Sequence, residues 1–111
     1  MQKNPMKESA EIVARLLKLL SAPNRLLILC HLIESEQCVT DLCKLVGMKP
    51  PAMSQQLSIL RREGLLSSRR EGQTIFYAIA DEKVEKLMSF LYDTYCKNSL
   101  TQTTQDHTTY A

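Results

Sequence analysis

Cysteines at positions 30, 38, 43 and 96 are the side chains of this sequence best suited to covalent chemistry. A thiolate attacks oxidised or sulfane sulfur, and a second thiol nearby can resolve the product into a bridge. Thiolates also hold soft metals. The four cysteines form no C-x-x-C pair, so neither a zinc ribbon nor a thioredoxin-type site is supported. Cys38 and Cys43 lie five residues apart, which on a regular helix turns their side chains about 140° away from each other. For any one of these cysteines alone, the competing reading is a small buried hydrophobe. His31 and Lys97 stand next to Cys30 and Cys96 and are neighbours of the kind that favour a thiolate.

A second group of residues could read hydrogen-bonding patterns. Placed on a helix, Pro51, Ser54, Gln55, Ser58 and Arg62 share one face, while Met53, Leu57 and Leu60 share the opposite one. Short Ser and Gln side chains can approach base edges, and Gln can bond adenine in a bidentate way in the major groove. The competing reading is a solvated polar face, and the charge distribution decides between the two. The net charge is only +2, yet Lys44 to Arg70 carries six cations against Glu63, a local +5 that leaves −3 for the rest. Lys49, Arg61, Arg69 and Arg70 thus bracket the polar face with groups suited to phosphates.

The elements that must position these residues follow from periodicity. Ile12, Val13, Leu16, Leu17 and Leu20 predict a helix over residues 7–20. Leu26, Leu29, Cys30 and Ile33 form the stripe of a second helix, which ends in the polar run Glu34 to Gln37. A third, short helix starts near Cys38, with Val39, Leu42, Cys43 and Val46 inward and Gly47 as its terminator. Met48-Lys49-Pro50 leads into a fourth helix from Pro51 to about Glu63. Two short helices joined by a Gly-containing turn make a helix-turn-helix. After Gly64 the period becomes two. Leu66 to Arg70 and Ile75 to Ile79 predict a hairpin around Glu71-Gly72-Gln73, whose basic tip would act as a wing. A last helix carries Val84, Leu87, Met88, Leu91 and Tyr95. The expected fold is mainly α, a winged helix-turn-helix in the order α-α-α-α-β-β-α. Residues 1–98 form one domain, and 99–111, rich in Thr and Gln, are expected to be disordered.

The opening MQKNPMKESAEI lacks the apolar block of a secretory signal, and no apolar run is long enough to span a bilayer. A cytoplasmic location with thiols reduced at rest is expected, and no membrane partner. No cofactor motif is present. A small thiol redox enzyme is a different class of reading, supported by nothing beyond the thiols themselves.

The stretches Ala22 to Leu29, Pro51 to Leu65 and Arg69 to Tyr77 resemble the ArsR/SmtB family, over about Ala10 to Cys96. The resemblance implies a homodimeric DNA-binding repressor that leaves an inverted-repeat operator when an inducer binds or reacts. It also implies pairing through the first and last helices. Its DNA-binding residues would be Lys49, Ser54, Gln55, Gln56, Ser58, Arg61, Arg62, Arg69, Arg70 and Gln73. Gln56 stands where the family often has His, and Pro51 where it often has Ser or Thr. Zinc sensors of the family bind metal on the last helix, but here that helix offers Asp81, Glu82, Glu85 and Asp93 without a His, so no metal site is expected. Arsenic sensors carry a cysteine cluster at the third helix. Cys38 and Cys43 resemble it with Thr40 in place of the middle cysteine, an alternative soft-metal or arsenite site. A thiol in the second helix and another ending the last resembles the BigR/HlyU-type sensors of persulfides and oxidants. By that resemblance Cys30 and Cys96 are the sensor thiols, and the inducer is a reactive sulfur species or oxidant.

Overall fold

The computed structural model describes residues 4–96. The expected disordered tail, 99–111, His107 and Lys97 lie outside the described residues. Five helices and a small sheet follow in the order α1 (Pro5–Leu20), α2 (Pro23–His31), β1 (Gln37–Cys38), α3 (Val39–Val46), α4 (Pro50–Arg62), β2 (Leu66–Glu71), β3 (Thr74–Ile79) and α5 (Glu82–Leu91). A π-helical turn, Tyr92–Cys96, continues α5. The expected winged helix-turn-helix is present, with several boundaries moved.

The first helix starts two residues earlier than periodicity suggested. Asn4 caps it by accepting from the Lys7 amide at 3.1 Å, and Pro5 fits the first turn, where no intrahelical donor is needed. At its end the Ser21 hydroxyl donates to the Lys18 carbonyl at 2.8 Å. Helix α3 stops at Gly47, whose φ of 81° only glycine adopts without strain. Its amide and that of Met48 both donate to the Cys43 carbonyl, at 2.8 and 3.1 Å, closing the helix end. Pro50 and Pro51 then occupy the first turn of α4.

Strands β2 and β3 pair antiparallel from Leu66↔Ile79 to Glu71↔Thr74, leaving Gly72-Gln73 as a two-residue loop with Gly72 at φ 66°. Each strand is thus one residue longer than expected. Strand β1 was not expected at all. Gln37 and Cys38 pair with Tyr77 and Phe76 on the free edge of β3, giving the sheet order β1-β3-β2. Two residues carry no periodicity, so only the tertiary partner reveals such a strand.

The core is one cluster: Leu20, Ile28, Leu29, Leu32, Leu42, Met53, Leu57, Leu60, Leu65, Leu66, Val84 and Met88. Helix α1 contributes little to it. Ile12, Val13 and Leu17 of its predicted stripe are 70%, 48% and 52% exposed, and Phe90 on α5 is 60% exposed. Among the described residues no helix is long and apolar enough to cross a membrane.

Candidate DNA-reading face and thiol cleft

Helix α4 is anchored from below. Met53, Leu57 and Leu60 are fully buried, together with Leu42 of α3. That leaves Pro51, Ser54, Gln55, Ser58, Arg61 and Arg62 exposed along the outer side, with Lys49 exposed at the helix start. Arg70 and Gln73 are exposed on the hairpin. Besides Pro51, these are eight polar or basic residues, all exposed, on α4, at its start and on the hairpin.

Two residues expected on that surface are engaged elsewhere. Gln56 is half-buried, and its side-chain oxygen accepts from Arg25 Nη1 at 3.0 Å. Arg25 Nε in turn donates to the Leu19 carbonyl at 2.7 Å. One guanidinium therefore joins the end of α1, the start of α2 and the inner flank of α4. Arg15 adds a second tie from α1 to the end of α4, through Glu63 at 2.9 Å. Arg69 is the other, with its side chain half-exposed. Its Nε donates to both carboxylate oxygens of Glu36, at 2.9 and 3.0 Å, and its Nη2 also bonds Glu36. Its guanidinium lies 4.7 Å from the centroid of the Phe76 ring, its cross-strand partner. This network holds the Glu36 carboxyl below the usual carboxylate range, chiefly through the Arg69 hydrogen bonds. Neither Arg25 nor Glu36 was singled out by sequence reasoning. An arginine carries no sign of its partner in a single sequence.

The thiols divide into two pairs. Cys38 sits at the capping position of α3 in extended backbone, with φ −92° and ψ 169°, where the third helix was expected to start. Cys43 packs half-buried against the core. Among the described residues no three His, Cys, Asp or Glu side chains gather where a metal could be held. Asp81 caps α5 by accepting from the Lys83 amide at 2.8 Å. Glu82, Glu85 and Asp93 are exposed.

Cys30 and Cys96 are brought together. Both are half-buried in a cleft of about 620 Å³ between α2 and the terminal turn, lined also by Leu27, His31, Leu45, Tyr92 and Tyr95. The Cys96 thiol lies within hydrogen-bonding reach of Cys30. Burial first, and then the charge and hydrogen bonding of Cys96, push the Cys30 thiol above its usual pKa of 9.0. The sequence neighbours suggested a thiolate-favouring site, and for Cys30 the structure gives the opposite direction. Desolvation is the largest cause, because a half-buried thiolate loses the water that stabilises its charge.

Known proteins share this fold. The profile of the bacterial regulatory protein, arsR family, matches residues 22–68. A biofilm growth-associated repressor of Xylella fastidiosa is 40% identical over 96 residues, 86% of this chain and 84% of that protein. The structure of reduced HlyU from Vibrio cholerae superposes with a TM-score of 0.81 at 34% identity, covering 84% of this chain and 98% of that one. The homodimeric winged helix-turn-helix DNA-binding domain of Mb0332 from Mycobacterium bovis superposes with a TM-score of 0.72 at 29% identity, covering 96% of each chain. Similarity of this extent, over helix-turn-helix, wing and flanking helices alike, makes the protein a DNA-binding transcriptional regulator rather than an enzyme, and the chain belongs to the arsR family.

Proposed function

We propose that the protein is a homodimeric repressor, released from an inverted-repeat operator when Cys30 and Cys96 are joined by a sulfur bridge. The observation that carries this reading is the meeting of the two thiols, from α2 and from the turn after α5, in one cleft. The relative from Xylella fastidiosa is named a repressor, which supports the direction of control. One copy reads only a few base pairs, and two-fold pairing doubles the site. Exposed Ile12, Val13 and Leu17 on α1 and Phe90 on α5 supply the apolar surface for that pairing. Lys49, Ser54, Gln55, Ser58, Arg61, Arg62, Arg70 and Gln73 face the DNA.

The chemistry balances without a cofactor. One thiolate attacks the outer sulfur of a persulfide and expels the parent thiol, leaving a protein persulfide. The second thiol then attacks the inner sulfur, forming the disulfide and releasing hydrogen sulfide. When both cysteines are first persulfidated, the same attack yields a trisulfide and hydrogen sulfide. With peroxide the two thiols pass two electrons to the oxidant, giving a disulfide and two waters. A bridge fixes α2 against the terminal turn, next to the proposed dimer helices, and so resets the spacing of the two α4 helices. A modest error in half-site spacing removes several of the roughly 4–10 kcal/mol that separate specific from non-specific binding.

The test is release from an inverted-repeat DNA selected by the reduced protein, after persulfide, peroxide or arsenite, with mass spectrometry on the same samples. Cys30→Ser and Cys96→Ser bind and ignore the inducer, while Cys38→Ser and Cys43→Ser respond normally. Release of Cys96→Ser, with Cys38→Ser or Cys43→Ser unresponsive, refutes the assignment and moves the sensor to α3.

A further inference from the structure

We propose that Arg69 is a positioning residue, clamped by Glu36 so as to hold the wing at a fixed angle, and not a contact to DNA phosphate. Successive residues of a strand face opposite ways, so Arg69 and Arg70 cannot both point at the same DNA surface. Arg70 is exposed. Arg69 is committed to the other face by three partners at once: the fork to Glu36, the ring of Phe76 and Glu71 Oε1 at 3.7 Å. A guanidinium held bidentately and stacked on a ring has little left to offer a phosphate.

What the clamp holds on to is well fixed. Glu36 belongs to the loop between α2 and β1. Its neighbour Gln37 is hydrogen-bonded in the β1–β3 ladder and reaches the His31 carbonyl at the end of α2, at 3.5 Å. The hairpin is therefore tied at its middle to the helical body, through a side chain that leaves Arg70 and Gln73 at the tip. The same loop supplies Glu34, Ser35 and Gln37 to the rim of the thiol cleft. The inference is separate from the thiol switch and holds whatever the cysteines sense. It rests on the wing meeting DNA.

The sign of one substitution decides it. If Arg69 contacts phosphate, Glu36→Gln frees the guanidinium, removes an anion and tightens operator binding. If Arg69 is clamped, Glu36→Gln loosens the wing and weakens binding, by about threefold to tenfold for the two wings of a dimer. Binding of the reduced protein is measured between 50 and 200 mM salt for Glu36→Gln, Arg69→Gln, Arg69→Lys and the double variant Glu36→Gln/Arg69→Gln. The clamp predicts similar losses for all four, no extra loss in the double variant and an unchanged salt slope. Arg69→Lys fails to rescue, since an ammonium keeps the charge but loses the fork and the stacking. In the free Glu36→Gln protein, amide exchange over residues 66–79 quickens while the helices keep their protection. Tighter binding by Glu36→Gln, or a salt slope lowered by about 1.8 in Arg69→Gln with Arg69→Lys retaining affinity, overturns the proposal.

Discussion

Replacing Arg25 by Ala tests the tie that fixes the reading helix to the rest of the protomer. Its Nε–Leu19 carbonyl bond of 2.7 Å and its Nη1–Gln56 bond of 3.0 Å are both partly buried. A hydrogen bond from a charged donor contributes about 1.5–3 kcal/mol, and partial exposure takes each of these to the lower end or below. The expected loss in Arg25→Ala is therefore about 2–3 kcal/mol. Gln56→Ala leaves Arg25 with Leu19 and water, and is expected to cost only about 0.5–1 kcal/mol. A double-mutant cycle then gives a coupling of about 1 kcal/mol between the two residues. Urea unfolding at one fixed protein concentration is the assay, because dimerisation makes apparent stability depend on concentration. A loss under about 0.5 kcal/mol in Arg25→Ala, or a coupling below the roughly 0.3–0.5 kcal/mol scatter of additive sites, refutes the reasoning.

The other predictions bear on reading, assembly and sensing. Gln55→Ala is expected to weaken operator binding by about 1–3 kcal/mol and relax preference at one base, whereas Arg70→Ala weakens binding to all sequences and lowers the dimer's salt slope by about 1.8. Leu17→Glu is expected to sediment as a folded monomer at micromolar concentration, since Leu17 lies outside the protomer core; a dimer at that concentration contradicts the α1 interface. Alkylation of Cys30 is expected to keep accelerating with pH beyond 9.0, and Cys96→Ser moves the midpoint down by removing the charge of the neighbouring sulfur. A thiol pKa raised by folding gives stability that is complete below pH 9.0 and is lost as pH passes the folded value. Micromolar zinc is expected to leave the reduced protein on DNA, and zinc release abolished by Asp81→Asn or Asp93→Asn would contradict the thiol switch.

Most of the fold was legible because its elements bury one face each. The stripes Met53-Leu57-Leu60 and Val84-Met88 are core in the structure, and Gly47 ends α3 where its position suggested. The stripe on α1 was read correctly as helical but says nothing of what covers it. Periodicity reports that a face is apolar, and Leu17 facing solvent in the protomer looks the same in sequence as Leu20 facing the core. Strand β1 was invisible for a related reason. A two-residue strand exists only because β3 has an edge to pair with, and Glu34 to Gln37 is as polar as any loop. The π-helical turn at Tyr92–Cys96 was likewise read as plain helix, since a π turn changes the hydrogen-bond partner without changing composition.

The candidate site divides along the same line. Exposure of Ser54, Gln55, Ser58 and Arg62 follows from the helix period once Leu57 is buried, so that face could be read directly. Gln56 and Arg69 could not be placed that way, because a half-buried or sheet-borne polar residue goes to whichever partner the tertiary fold supplies. Arg25 and Glu36 are 31 and 33 residues away from them. The thiol pair is the limiting case. Cys30 and Cys96 meet only because the turn after α5 comes to rest beside α2, a contact between the first third and the end of the described chain. No spacing rule reaches that far, and the pairing came from family resemblance alone. What the fold adds is the shift at Cys30. Burial first, and then the charge and hydrogen bonding of Cys96, disfavour the Cys30 thiolate. That shift is a property of the cleft, and the sequence around Cys30 carries no trace of it.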